Sequence, residues 1–182
     1  RRTRSVERFS AEWIPVYPGS DAVLMSAMLF VMMEEGLVDR SFVERCSVGF
    51  EELERYLRGE IDGKPRGPGW AAPLTGISEE KIRSFTRRFA AANPAALLPG
   101  LSIQRTLGGE EADRLGAALQ LAAGNIGVPG GSAGSGQWNV LPHPRIGKVP
   151  VPENPAASSV PVCRWADVLL SPEEGPDVRG LY

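Results

Sequence analysis

"EWIPVYPGSDAVLMSAMLFVMMEEG", residues 12–36, changes its periodicity halfway along. Trp13 to Tyr17 is a short extended run closed by Pro18-Gly19, and from Ala22 onward nearly every position is apolar. That pattern reads as a strand, a tight turn and a helix buried on almost every side. The Ser20 hydroxyl stands where it can cap the helix N-terminus, Asp21 suits the positive end of the dipole, and Gly36 ends the helix. The apolar stretch at residues 22–33 is too short to cross a hydrocarbon core, which leaves burial in a globule.

Working outward, residues 39–59 read as two short amphipathic helices. Phe42 and Val43 face inward on the first; Phe50, Leu53, Tyr56 and Leu57 do so on the second. Residues 60–70, "EIDGKPRGPGW", have the Gly, Pro and charge content of an exposed loop. A helix restarts with Ser78 as its cap, Ile82, Phe85 and Phe89 as its apolar stripe, and Arg83, Arg87 and Arg88 on its wet face. "AALLPG", residues 95–100, reads as a second buried strand, and Gly109 to Ala123 as a helix with Leu115, Leu119 and Ala122 inward. The glycine-rich residues 124–139 exclude a regular element. Of the Pro-rich remainder, only "VPVCRWADVLL", residues 160–170, is apolar enough for a short strand and a short helix.

Alternation of this kind predicts an α/β fold, a small parallel sheet flanked by helices, with an irregular Gly/Pro-rich C-terminal part. The expected division is an α/β domain at residues 1–138 and an extension at 139–182. Ligands in such folds bind beyond the carboxyl ends of the strands. "PGSD" and "SIQR", residues 102–105, both fall there.

The chain has 182 residues, 42% of them hydrophobic, enough for a core, and a formal charge of −2, which offers no basic field to nucleic acid. Cys46 and Cys163 lie far apart and His143 is the single histidine, so this chain by itself has no zinc or iron–sulfur ligand pattern. The N-terminus has an Arg pair but no apolar segment after it, and the absence of an initiating Met suggests a piece of a longer protein.

Three features carry candidate chemistry. In "PGSD", Gly19 allows close backbone approach, Ser20 offers a hydroxyl, and Asp21 offers two acceptor oxygens matched to a guanine's N1–H and exocyclic amine; helix capping and dipole complementation account for the same residues. Gln104 and Arg105 either line a polar cofactor pocket or leave Arg105 to pair with Glu110 or Glu111. "GNIGVPGGSAGSG", residues 124–136, lacks both nucleotide-loop fingerprints and reads as a tight crossover. Arg87-Arg88 reads as a solvated face, and His143, between prolines, as a surface residue.

Taken in order, "EWIPVYPGSDAVLMSAM", "GWAAPLTGISEEKI", "GLSIQRTLGGEEADR" and "AAGNIGVPGGSAG" resemble successive motifs of one family, the large subunits of molybdopterin oxidoreductases of the dimethyl sulfoxide reductase type. "GGSAGSG" and "PENPAASSVPVCRWADVLL" place the resemblance closest to its anaerobic dimethyl sulfoxide reductase catalytic subunits. Ser20 stands where the family pattern has Thr, Leu101 where it has Trp, and Glu111 where it has Gln.

The resemblance implies a Rossmann-like domain binding bis(molybdopterin guanine dinucleotide)molybdenum, within an oxidoreductase that reduces an S-oxide or N-oxide by oxygen-atom transfer. Gly19, Ser20 and Asp21 would hold a guanosine, and Gln104 and Arg105 would approach the pterin, with Arg105 a candidate to orient substrate. It places the molybdenum ligand and the iron–sulfur cysteines earlier than Arg1, so no metal ligand is expected here and the chain in isolation is expected to be inactive. By resemblance the partners are the remaining domains, an iron–sulfur electron-transfer subunit and a membrane anchor subunit, reached by twin-arginine export. The rival readings are another molybdopterin reductase, acting on polysulfide, tetrathionate or arsenate, and a non-catalytic α/β interaction domain.

Overall fold

The computed structural model describes residues 4–9, 12–92, 94–100, 103, 105–132 and 165–170. The chain divides into two compact units, residues 1–142 and 143–182. In the first lie α1 (Arg4–Phe9), α2 (Asp21–Glu34), α3 (Arg40–Cys46), α4 (Phe50–Leu57), α5 (Pro68–Thr75), α6 (Glu79–Ala91) and α7 (Glu110–Ala122). In the second lies α8 (Trp165–Leu170), the short helix expected there; the strand expected just before it lies outside the described residues.

α2 is the hub of the first unit, packing against α4, α5, α6 and α7. Its all-round apolar sequence requires this, because Met25, Ala27, Met28, Leu29, Val31, Met32 and Met33 leave it no face to give to water. One core cluster joins α2 to Val43, Phe50, Leu57, Ala112, Leu119 and Ala122; a second joins Ala27 to Ala71, Ile77 and Ile82. Gly36, at φ +68, ends the helix as expected. Asp39 caps α3 by accepting from Phe42 N at 3.0 Å, and Ser78 caps α6 by accepting from Lys81 N at 3.3 Å.

No strand occurs among the described residues, and the parallel sheet is the main expectation that fails. Their one β-bridge is an isolated parallel pair, Ile126 with Ser132, in the glycine-rich loop. Both candidate strands are extended but unpaired. Ile14 and Val16 turn inward onto the second cluster while Trp13 and Tyr17 stay exposed, so the period of two was real. Prolines 15 and 18 remove two ladder donors, and Tyr17 N bonds to Thr75 O of α5 at 3.1 Å. Leu97 packs against the first cluster and Ile14 and Val16 against the second, and the two extended runs do not pair with each other. Residues 95–100 are not a buried strand either, since Leu98 is 75% exposed.

Residues 60–70 depart from the expected open loop at one end. Arg66 is buried; its guanidinium stacks 4.0 Å above the Tyr56 ring and forks onto Asp62. Arg66 N also bonds to Leu57 O at 2.8 Å, which folds the loop back under α4. Pro68 then starts α5 with the fixed φ that a first helical turn wants. Gly76 ends α5, and the Tyr17 ring lies where its Cβ would be, 2.7 Å from Tyr17 Cζ.

The arginines of α6 are more than a wet face. Arg87 pairs with Glu35 and Arg83 with Glu34 and Glu35, fastening α6 to the end of α2. Arg88 and Lys81 both pair with Glu12, which fastens the extended run before α2. Hydrogen bonds from these cations hold the Glu12 and Glu35 carboxyls below the usual carboxylate range.

Candidate functional site

The "PGSD" turn is built by Ser20, which is buried. Its backbone N–H and its hydroxyl both donate to Tyr17 O, at 3.1 and 2.7 Å. The expected helix cap is therefore absent, because the hydroxyl is spent on closing the turn and makes no bond to the first turn of α2. Gly19 sits at φ +79, a left-handed conformation that a side chain would strain, and the space around its missing Cβ is open. The turn therefore delivers Asp21 at a fixed place, the first residue of α2.

Asp21, Leu24, Met25 and Met28 lie one helical turn apart on a single stripe of α2 and form one wall of a cavity of about 270 Å³. Phe85 and Phe89 of α6 form a second wall, Leu97, Leu98, Pro99, Gly100 and Ile103 a third, and Leu119 of α7 closes it. Asp21 is half-buried and is the one ionisable group among the described lining residues. Among the described residues its carboxylate has no hydrogen-bond or ion-pair partner, leaving its acceptor oxygens available. The volume is just under the roughly 300 Å³ at which ligand pockets begin, so the cavity fits one flat ring system and not a whole dinucleotide.

Of the stretch at residues 102–105, Ile103 lines the same cavity as Asp21, and Arg105 is not among the lining residues. Arg105 is exposed and, among the described residues, forms no ion pair with Glu110 or Glu111; Glu111 pairs with Arg114 at 3.0 Å instead. Leu101, Ser102, Gln104, His143 and Cys163 lie outside the described residues, and Cys46 is an exposed free thiol. Among the described residues no three His, Cys, Asp or Glu side chains converge on a common point, and no helix is long and apolar enough to cross a membrane.

Sequence reasoning missed Gln120. It is buried on α7, and in the amide orientation that satisfies both of its atoms, Nε2 donates to Ala95 O at 3.0 Å while Oε1 accepts from Leu97 N. The available signal was a polar residue beside Leu119 on an otherwise inward-facing stripe. Asn125 was missed as well; it is 1% exposed, with both amide atoms unpartnered.

No protein-family model matches the chain. Individual relatives do. Dimethyl sulfoxide reductase DmsA of Escherichia coli K12 is 34% identical over 184 residues, covering 93% of this chain and 22% of that protein. The dimethyl sulfoxide/trimethylamine N-oxide reductase of Cereibacter sphaeroides is 33% identical over 192 residues, covering 94% of this chain and 23% of that protein. Among solved structures, acetylene hydratase from Pelobacter acetylenicus superposes with a TM-score of 0.59 at 30% identity, over 70% of this chain and 16% of that one. The chain spans less than a quarter of the length of these relatives. Over nearly its whole length it is homologous to one segment of the dimethyl sulfoxide and trimethylamine N-oxide reductases.

Proposed function

We propose that this chain is the cofactor-binding part of a molybdenum oxidoreductase that reduces an S-oxide or N-oxide by oxygen-atom transfer. The carrying observation is the convergence of Asp21 with residues 97–100 and Ile103 on one apolar cavity, in a chain homologous to enzymes named for such oxides. The residues present fit the guanine end of a molybdopterin guanine dinucleotide. Leu24, Phe85, Phe89 and Leu97 give a flat ring apolar walls, and the unpartnered Asp21 carboxylate can accept from its N1–H and exocyclic amine. Gly19 and Ser20 hold that carboxylate in place through the closed turn. When bound, the cofactor supplies the two-electron oxygen-atom chemistry; the protein supplies position and field.

Arg105 is assigned to the approaching substrate: an unpaired, exposed guanidinium can hold the developing negative charge on an oxide oxygen. Gln104 is assigned to the pterin beside it. In this reading residues 1–138 form the cofactor domain and 139–182 a Pro-rich extension. The electron source is an iron–sulfur subunit on a membrane anchor, exported with the enzyme by the twin-arginine route.

Two substitutions in the full-length subunit test the assignment. Asp21→Asn should lower the guanine nucleotide recovered per protein, and normal loading refutes the guanine site. Arg105→Ala should cut oxide turnover while molybdenum and nucleotide content stay near wild type; undiminished turnover removes its role. The likeness to acetylene hydratase favours one other reading, that the same scaffold serves a different reaction. A substrate panel with a reduced viologen dye decides between them.

A further inference from the structure

Residues 95–100 run extended with no neighbouring strand, yet they are held as if by one. In the amide orientation that satisfies both of its atoms, Gln120 of α7 donates to Ala95 O at 3.0 Å and accepts from Leu97 N, a donor and an acceptor two residues apart, as an adjacent strand would offer them. Gly116 lies one turn earlier on the same face of α7. A methyl group there would stand 3.2 Å from Leu97 Cδ2 and 3.5 Å from Met25 Sδ, so glycine sets how closely the segment approaches the helix. Beyond this clamp Leu97, Leu98, Pro99 and Gly100 form one wall of the Asp21 cavity, and the chain continues to Ile103 and Arg105.

We propose that Gln120 and Gly116 are positioning residues for the ligand site: α7 serves as a surrogate strand whose amide fixes the register of residues 95–100 and whose missing side chain fixes the cavity's width. Neither residue touches the ligand. Gln120 sets which side chain of the segment packs into the core beside the cavity, since slipping an extended chain by one residue turns Leu98 inward in place of Leu97. Gly116 keeps the gap suited to a flat aromatic ring. The inference rests on reading the cavity as the cofactor's base site, and the experiment separates the two.

Wild type, Gln120→Leu, Gly116→Ala and Asp21→Asn forms of the full-length subunit are compared for melting temperature, guanine nucleotide content and amide exchange of the peptide containing Leu97. Gln120→Leu should speed that exchange about tenfold, the factor for losing one hydrogen bond of ordinary strength, and should lower nucleotide content. Gly116→Ala raises the helix propensity of α7 but sets a methyl 3.2 Å from Leu97 Cδ2, so a purely structural role predicts loading that falls only in step with the melting temperature. Positioning predicts reduced loading at undiminished melting temperature. Unchanged Leu97 exchange in Gln120→Leu overturns the clamp. Reduced loading in Asp21→Asn alone overturns the positioning role and leaves the base site standing. Normal loading in all three overturns the base site and the positioning role together. If Gln120→Leu fails to fold, Gly116→Ala carries the same decision.

Discussion

At the scale of single residues, burial decides what a charge is worth. Arg66 is 7% exposed and its partner Asp62 is far more open, so the pair is asymmetric. Removing the carboxylate leaves a buried guanidinium without its counter-charge, whereas Arg66→Met keeps the packing on Tyr56 and removes the charge. Asp62→Asn should therefore lower stability more than Arg66→Met does, as measured by urea unfolding. The Arg66 hydrogen bonds hold the Asp62 carboxyl down to about 2, against an ordinary value of 3.8. Because the folded-state value is the lower one, this stabilisation is complete above the ordinary value and is lost as pH falls towards 2. The stability gap between wild type and Asp62→Asn should close over that window; a gap independent of pH would rule out the assignment. Ser20 makes a different point: a residue type suited to capping was present, and the local turn took its hydroxyl first.

At the scale of elements, α2 and α6 show which local signals survive folding. Leu29 and Met32 are fully buried at the centre of α2, so Leu29→Ala should cost about 2–5 kcal/mol through lost burial and the cavity left behind, read from chemical denaturation. Ser78→Ala should cost about 1 kcal/mol, because Lys81 N loses its acceptor. Helix signals of this kind were legible in the sequence, including the buried character of α2 and the ends at Gly36 and Ser78. They depend on neighbours within one or two turns. The strands expected at residues 13–17 and 95–100 were legible only as extended backbone. A sheet also requires a second chain segment to complete its hydrogen bonds, and no pattern within five residues reveals that α5 and the Gln120 side chain take that part. α5 itself was missed because its Gly, Pro and Trp content resembles the loop it follows.

At the scale of the whole molecule, two sets of ion pairs tie α6 to the rest, Arg83 and Arg87 to Glu34 and Glu35, and Lys81 and Arg88 to Glu12. These groups are substantially exposed, so they act more through geometry than through energy, and moderate salt should shift the melting temperature little. The apolar surface is the larger consideration. Trp13, Tyr17, Leu98 and Leu107 are exposed, and the relatives are about four to five times longer than this chain. The isolated 182-residue chain should self-associate at micromolar concentration in sedimentation velocity, and Leu98→Asp should reduce this. A strictly monomeric wild type would contradict the expectation.

Five of the seven helices in the first unit, the tight turn before Asp21 and the ordered motifs that relate the chain to the oxide reductases were legible from the residues alone; α1 and α5 were not. All of these are short-range: residue spacing, turn chemistry and motif order are complete within a dozen residues. Tertiary structure alone decided that Asp21 shares a cavity with Leu97, Gly100 and Ile103, and that Gln120 stands in for a strand. Each of those facts is a meeting of segments far apart in the chain. Such meetings are chosen by how the buried faces of α2, α6 and α7 pack, and packing is a property of the whole core.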